Sequence, residues 1–248
     1  MVVNCYLFND ASNFVPFAKF YPYEGVFPCM EVIKKTIEIK GLFHALYVDK
    51  ASHFKTTRYG GLHVNINDEH EHTHIERALN ELGINLIPAN SPQAKGRIER
   101  LFRTFQDRLI KEMRLNNIKN YDSANHFLIS EFLPYYNRKF AKSNSIPSVY
   151  SKLTNLNLDF IFCKKYQRKV NFDNTIKIFG KIIQIPPSKY RLSFARCVVD
   201  VCLLPDNKLF ILYKNNIIHS CPLPDNKFTK VEKKIDKFLS QRVYAYVE

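Results

Sequence analysis

The sequence lacks long apolar runs, which excludes a helical membrane protein. No stretch approaches the ~20 consecutive apolar residues that a membrane-spanning helix needs, and no charged-then-apolar signal segment opens the chain. Cysteine is scarce, and its six copies form no CxxC pair and show no metal-site spacing. We therefore expect the cysteines to act as small hydrophobes in a reduced, cytoplasmic compartment.

Acidic residues are also few. The 248 residues include 37 Lys and Arg against 23 Asp and Glu, a net charge of +14, and 46% of them are apolar, enough for a real core. Residues 1–92 carry a net charge of −2, residues 93–152 carry +7 and residues 153–248 carry +9. Such a field favours a polyanion, most often nucleic acid. A basic ribosomal or membrane-surface protein fits the same composition.

The first 152 residues alternate strands with helices. Two β-rich runs around the polar residues 9–13 predict a hairpin, and residues 27–41 predict a helix that stops at Gly41. FHALYVDK predicts a strand buried on both faces, and a helix, HIERALNELGI, and a strand, INLIPA, follow. Strands separated by helices imply parallel pairing, so the fold class is α/β.

A long helix is predicted after Ser91 and Pro92, a serine cap followed by proline. Glu99 falls at the border of its apolar face. At 100° per residue the apolar stripe contains Ile98, Leu101, Phe102, Phe105, Leu109 and Met113, and the opposite face contains Arg97, Arg100, Lys111 and Arg114.

The pattern changes beyond about residue 160, where apolar and polar residues alternate between turns at 173–174, 205–207 and 215–216. Short strands at this spacing predict a small antiparallel barrel over residues 160–222, followed by a basic tail, 223–248. Four cations at its start, Lys164, Lys165, Arg168 and Lys169, either follow a nucleic-acid backbone or belong to a linker.

Two carboxylates are the candidates for chemistry. Asp49 ends a predicted strand, and ligands of open α/β sheets gather at the carboxyl ends of strands. Glu99 can face the same crevice, where it needs a counter-charge. An ion pair with Arg103 is the more ordinary interpretation from the residues alone, and a divalent cation shared with Asp49 is the alternative.

Three segments carry a resemblance to a known family: ALYVDKASHF, the stretch around SPQAKGRIER, and FLPYYNRKFA. They resemble the integrase-type core of bacterial insertion-sequence transposases, the ISNCY family in particular, and RKVNFDNTIKIFGKIIQIPP resembles the β-barrel that follows that core. The likeness runs over most of residues 5–205 in the expected order.

The resemblance implies an RNase H-like catalytic core over residues 1–152, followed by a small SH3-like barrel that binds DNA. It places Asp49 and Glu99 at the second aspartate and the glutamate of an acidic Asp, Asp, Glu triad that holds two Mg²⁺ or Mn²⁺ ions. The implied reaction is phosphoryl transfer on element ends and target DNA, by a cytoplasmic, nucleoid-associated homo-oligomer. Phosphate contacts are expected from Lys50, Lys95, Arg97, Arg100 and Arg103.

The first aspartate of that triad has no evident counterpart. In the related transposases it lies on a strand before the hairpin with which this sequence begins. Asp10 falls in the hairpin turn, where its side chain is expected to bond backbone amides. We therefore expect a truncated transposase chain that lacks one ligand and the first strand of the core. A catalytically inactive DNA-binding remnant is the alternative, and an unrelated RNA-binding protein would leave SPQAKGRIER unexplained.

Two other groups are weighed against ordinary roles. His70, His72 and His74 alternate, which would suit Zn²⁺ on a strand, but their polar surroundings favour a solvated loop. Tyr135 and Tyr136 are expected to pack between helices, because the arginine and histidine constellation of a tyrosine recombinase is missing.

Overall fold

The computed structural model describes residues 3–7, 12–48, 54, 72–88, 103, 105, 107–142, 150–153 and 156–223, and for 3–7 the backbone alone. A mixture of helices and strands fills these ranges, in agreement with the α/β prediction. The chain divides into two compact units between Leu156 and Asn157. No helix in the described part has both the length and the apolar character that a membrane crossing requires.

The first unit opens with the predicted hairpin. Strands β1 (Val3–Leu7) and β2 (Phe17–Tyr21) pair antiparallel, with Cys5 opposite Lys19. Asp10 lies outside the described residues, so its expected role in the turn stays a prediction.

Helix α1 (Val26–Lys40) ends where the sequence predicts. Gly41 has a φ of 97°, and its amide donates to the Ile37 carbonyl at 2.8 Å. A Cβ at this position would overlap the Ser151 carbonyl oxygen. Both the positive φ and this close contact therefore require glycine. Met30, Ile33 and Ile37 form the buried face of the helix.

Strands β3 (Ala45–Val48) and β4 (Asn85–Pro88) confirm the predicted parallel pairing, with Val48 beside Pro88. Helix α2 (His74–Glu81) leads into β4, and the Thr73 hydroxyl caps it by accepting from the Glu76 amide. The prediction that β3 is buried on both faces is wrong, because Tyr47 is 59% exposed. Successive side chains of a strand point to opposite faces, and only the face of Leu46 and Val48 is covered.

The remaining helices of the first unit share one core. Helix α3 (residues 107–115, with 103 and 105 also helical) is followed by α4 (Tyr121–Phe127), a π-helical turn (Leu128–Phe132) and α5 (Leu133–Phe140). The part of the apolar stripe that is described is confirmed, since Phe105, Leu109 and Met113 are buried. The Phe105 ring packs edge-on against Phe132 and Tyr136, at centroid distances of 5.3 and 5.2 Å.

Two asparagines attach these helices to the hairpin. Asn125 on α4 accepts from the Phe20 amide at 2.7 Å and donates to its carbonyl at 3.1 Å. Asn137 on α5 makes the same pair of bonds with Val15, both at 2.9 Å. Each side chain therefore takes the place of a neighbouring strand along one side of the hairpin.

Within residues 156–223 the second unit contains α6 (Leu158–Ile161) and six strands, β5 (Lys164–Lys169), β6 (Thr175–Ile178), β7 (Lys181–Gln184), β8 (Val198–Leu203), β9 (Lys208–Tyr213) and β10 (Asn216–Pro222). An antiparallel sheet has the order β10-β9-β8-β5, and β6 and β7 form a hairpin. Asn174, Asn207 and Asn215 adopt positive φ between 58° and 63° at the predicted turns. The described strands do not test closure into a barrel, which stays a prediction.

Replacing Asn137 with Ala should destabilise the protein by about 2–4 kcal/mol, because Val15 is fully buried and would keep an unpaired amide and carbonyl. Denaturant unfolding followed by circular dichroism measures the change. Asn116→Ala is the matched control, since Asn116 is exposed and its side chain only donates to the Glu112 carbonyl. Equal stability of the two variants would contradict the role given to Asn137.

Candidate functional site

The parallel strands β3 and β4 have their carboxyl ends at the same edge of their sheet. Val48 and Pro88, the last residues of the two strands, lie side by side in the register. Asp49 comes next in the sequence after Val48, and it lies outside the described residues together with Lys50. The described strands therefore lead into the candidate position, at the kind of edge where α/β sheets bind ligands.

The candidate residues near the start of the long helix are described only in part. Glu99, Lys95, Arg97 and Arg100 lie outside the described residues, so the structure does not test whether Glu99 approaches Asp49. Arg103 is helical and exposed, as a phosphate contact requires.

The described portion of α3 carries a mainly basic exposed face, in which Asp107 is the one exposed carboxylate. Its exposed cations are Arg103, Arg108, Lys111 and Arg114, and Lys111 and Arg114 confirm the face predicted for them. Arg108 on α3 and Lys139 on α5 approach the same Phe140 ring, at 5.2 and 5.8 Å from its centroid. Two cations at one ring create a local positive potential that suits an anion.

The four cations Lys164, Lys165, Arg168 and Lys169 belong to strand β5, so the linker alternative is wrong. Among the described strands, β5 pairs with β8 alone, with Lys165 opposite Cys202 and Arg168 opposite Val199. A continuous ladder of backbone bonds holds this segment, which a linker would lack. Lysines also protect sheet edges from unwanted pairing, so their presence here has a structural explanation beside the functional one.

Sequence reasoning missed a second group of cations, on the turns and the long connection of the second unit. Arg191 and Arg196 lie between β7 and β8, Lys214 lies between β9 and β10, and all three are exposed. Phe172, between β5 and β6, is exposed beside Arg196. The available signal was the mixture of aromatic and basic residues in SKYRLSFAR, which has no strict period.

Histidines and tyrosines have ordinary surroundings where they are described. The Nδ1 atom of His72 lies 3.2 Å from a carboxylate oxygen of Glu76 in the first turn of α2, whereas His70 lies outside the described residues. The described ranges contain no group of three or more His, Cys, Asp and Glu side chains able to hold a metal ion. Tyr136 packs in the core as predicted, and burial raises the pKa of its hydroxyl. The prediction is wrong for Tyr135, which is exposed and accepts a hydrogen bond from Lys139.

The buried cysteines of the second unit are unsuited to thiolate chemistry. Cys163 and Cys202 pack together with Leu212. A hydrogen bond with Cys163, and then burial, raise the pKa of Cys202 far above its ordinary value. Because the thiolate is the reactive form, these cysteines act as small hydrophobes, as predicted.

Two known proteins are similar to this chain, although no protein-family model matches it. The "Putative transposase y4bF" of Sinorhizobium fredii is 36% identical over 168 residues, which are 65% of this chain and 35% of the relative. The "Transposase for insertion sequence IS1202" of Streptococcus pneumoniae is 30% identical over 147 residues, 59% of this chain and 30% of the relative. The chain thus matches about a third of each relative's length. The resemblance to insertion-sequence transposases is confirmed.

The stability of the turn before β6 should depend on pH. The Thr175 hydroxyl and amide both donate to Asp173, at 2.7 and 3.1 Å. These bonds, that of the hydroxyl foremost, hold the pKa of Asp173 below its ordinary value. Their stabilisation is therefore complete above the ordinary carboxyl pKa and is lost as pH falls through the lowered one.

Thr175→Val should raise the pKa of Asp173 towards its ordinary value, as measured by NMR titration of the side-chain carboxyl carbon. Asp206 is the internal control, because its pKa is lowered mainly by Lys208 and should not respond. Lys208→Gln should raise the pKa of Asp206 and leave that of Asp173 unchanged. An unchanged Asp173 titration in Thr175→Val would contradict this assignment.

Proposed function

We propose that this chain is part of an insertion-sequence transposase of the ISNCY family that acts on DNA by metal-dependent phosphoryl transfer. The observation that carries the proposal is the 36% identity to a transposase over 168 residues. The parallel pair β3 and β4, which leads into Asp49, and the basic face of α3 support it. The proposed architecture is an RNase H-like core followed by an SH3-like, DNA-binding barrel.

Asp49 and Glu99 are the proposed metal ligands. Carboxylate oxygens are the donors that Mg²⁺ and Mn²⁺ prefer, so the chemistry of this donor set fits the proposed ions. A pair of such ions lowers the pKa of a bound water and stabilises charge on both sides of the phosphorus. Asp49 and Glu99 would hold these ions, so removing either side chain would remove a ligand.

Lys50, Lys95, Arg97, Arg100 and Arg103 are the proposed phosphate contacts. Arg103 is exposed and helical, and the cations that continue along α3 extend the same charge. Such contacts position DNA without reading its sequence, so they serve element ends and target alike. The active assembly is proposed to be a homo-oligomer associated with the nucleoid.

An inactive DNA-binding remnant is the second candidate. The resemblance assigns two of the three carboxylates of the triad to residues of this sequence, and a complete triad is needed for cleavage. Metal binding and DNA cleavage are therefore best measured separately, since two carboxylates suffice to bind a cation weakly and do not suffice for the reaction.

Glu99→Gln and Asp49→Asn should each weaken Mn²⁺ binding to the full chain at least about tenfold, because each removes a ligand charge. Titration followed by electron paramagnetic resonance measures the free ion. Glu112→Gln, on the same predicted helix, is the matched control and should bind Mn²⁺ like the unsubstituted chain. Equal affinity of all four proteins would overturn the proposed site.

The same proteins decide between the two candidates when mixed with labelled duplexes from the DNA that flanks the gene. An active transposase chain cleaves these duplexes with Mg²⁺ or Mn²⁺, and Glu99→Gln abolishes cleavage while DNA binding stays intact or becomes stronger. If Asp49→Asn and Glu99→Gln weaken Mn²⁺ binding but no protein cleaves the duplexes, the result would favour the remnant.

A further inference from the structure

One surface of the second unit combines an exposed aromatic ring with cations that form no ion pair with any described carboxylate. We call it the loop surface, and it consists of Phe172, Arg191, Arg196, Tyr213 and Lys214. Phe172, Arg191, Arg196 and Lys214 come from three separate connections, and Tyr213 is the last residue of β9. Arg196 contacts the Phe172 ring, and Arg191 and Lys214 contact Tyr213. The two groups meet at Cys197, which follows Arg196 in the chain and accepts from Arg191.

The exposure of the Phe172 ring is unusual for such an apolar side chain. Phe172 is 75% exposed, although burial of a phenylalanine ring is ordinarily favourable. The Arg196 guanidinium lies over the ring, 4.5 Å from its centroid. Because the residue remains mostly exposed with one ring face covered, the opposite face is open to a flat partner.

The backbone holds Arg196 in place for this contact. Arg196 has a φ of 64°, a left-handed conformation that is uncommon for a residue with a side chain. Its amide donates to the Val170 carbonyl at 2.9 Å, and the Val170 amide donates to the Cys197 carbonyl at 2.8 Å. Asn174 holds the segment just before Arg196, because its side-chain oxygen accepts from the Phe194 amide and the Ser193 hydroxyl. The cation is therefore positioned before any ligand arrives.

Arg191 and Lys214 extend the positive charge away from Phe172. The Arg191 guanidinium lies 3.1 Å from the Cys197 sulfur and 3.5 Å from the Tyr213 hydroxyl, and Lys214 approaches the Tyr213 ring. No described carboxylate forms an ion pair with these two residues or with Arg196. Asp173, next to Phe172, turns its carboxylate to Thr175 instead.

The charge of the described part of the second unit points in the same direction. Residues 157–223 contain 11 Lys and Arg against 4 Asp and Glu, a net charge of +7. Cations suit phosphates, and a ring open on one face suits a nucleobase that is not already stacked in a duplex. An acidic peptide would satisfy the cations but would leave the ring unexplained.

We infer that the loop surface binds an unpaired stretch of DNA, with a base stacked on Phe172 and the phosphates held by Arg191, Arg196 and Lys214. The choice of DNA rests on the proposed function, whereas the preference for unpaired bases rests on the exposed ring. Unpaired bases occur where a duplex is opened or cut at staggered positions, so this contact would hold a single-stranded end during transposition.

Fluorescence anisotropy with the full chain tests the inference. The probes are labelled oligodeoxythymidylate of ~16 nucleotides, the upper site size of one small binding barrel, a blunt duplex of equal length and the matching oligouridylate. Phe172→Ala should weaken binding of the single-stranded DNA about 5- to 100-fold and leave duplex binding nearly unchanged. Arg191→Ala and Arg196→Ala should each reduce the slope of log affinity against log salt by ~0.7.

Two controls match these changes. Ile182→Ala removes another exposed apolar side chain, on β7, and Lys208→Gln removes a charge that Asp206 already offsets at 2.9 Å. Neither control should change single-strand affinity. Circular dichroism should show that Phe172→Ala folds normally, because the side chain is exposed.

Three results would overturn the inference: Phe172→Ala behaving like Ile182→Ala, an equal loss of affinity for duplex and single strand, or tighter binding of the RNA probe. The proposed function fails separately. If Asp49→Asn and Glu99→Gln leave Mn²⁺ binding unchanged while Phe172→Ala weakens single-strand binding, the loop surface stands and the metal site does not.

Discussion

The first unit depends on the attachment of its helices to the hairpin through two asparagine side chains. A hairpin strand exposes amides and carbonyls along its free side, and each such group is costly to bury unpaired. Asn125 and Asn137 lie 12 positions apart, and each supplies both an acceptor and a donor to one residue of the hairpin segment. Because α4 and α5 carry these side chains, the same bonds fix where the core formed by Phe105 and Tyr136 meets the hairpin.

Sequence periodicity predicts the elements of this chain well where one face is buried continuously. The stop of α1 at Gly41, the parallel pairing of β3 with β4 and the buried residues of α3 all follow from local patterns. The exposure of Tyr47 does not, because an apolar run has the same letters whether one face of a strand is covered or two. The asparagine pairs are equally invisible, since they join residues 105 and 122 positions apart.

The candidate sites differ in how sequence reveals them. Asp49 and Glu99 are found from their positions in local segments, a resemblance adds their implied role, and the strand that precedes Asp49 has the predicted pairing. The loop surface has no such segment, because its residues come from three connections, whose lengths follow no period, and from the end of β9. Its formation depends on the positive φ of Arg196 and on the bonds to Asn174, which are properties of the folded backbone.

The two units display their cations on different kinds of structure. In the first unit the cations stand on the outer face of α3, opposite Phe105, Leu109 and Met113, so burial of the apolar stripe directs the charge to solvent. In the second unit the sheet supplies a rigid core, and turns with left-handed residues present the cations. A helix face suits a regular array of phosphates, whereas separate turns suit an irregular strand. The preference of the loop surface for unpaired DNA therefore follows from the way the sheet displays its charges as well as from the ring of Phe172.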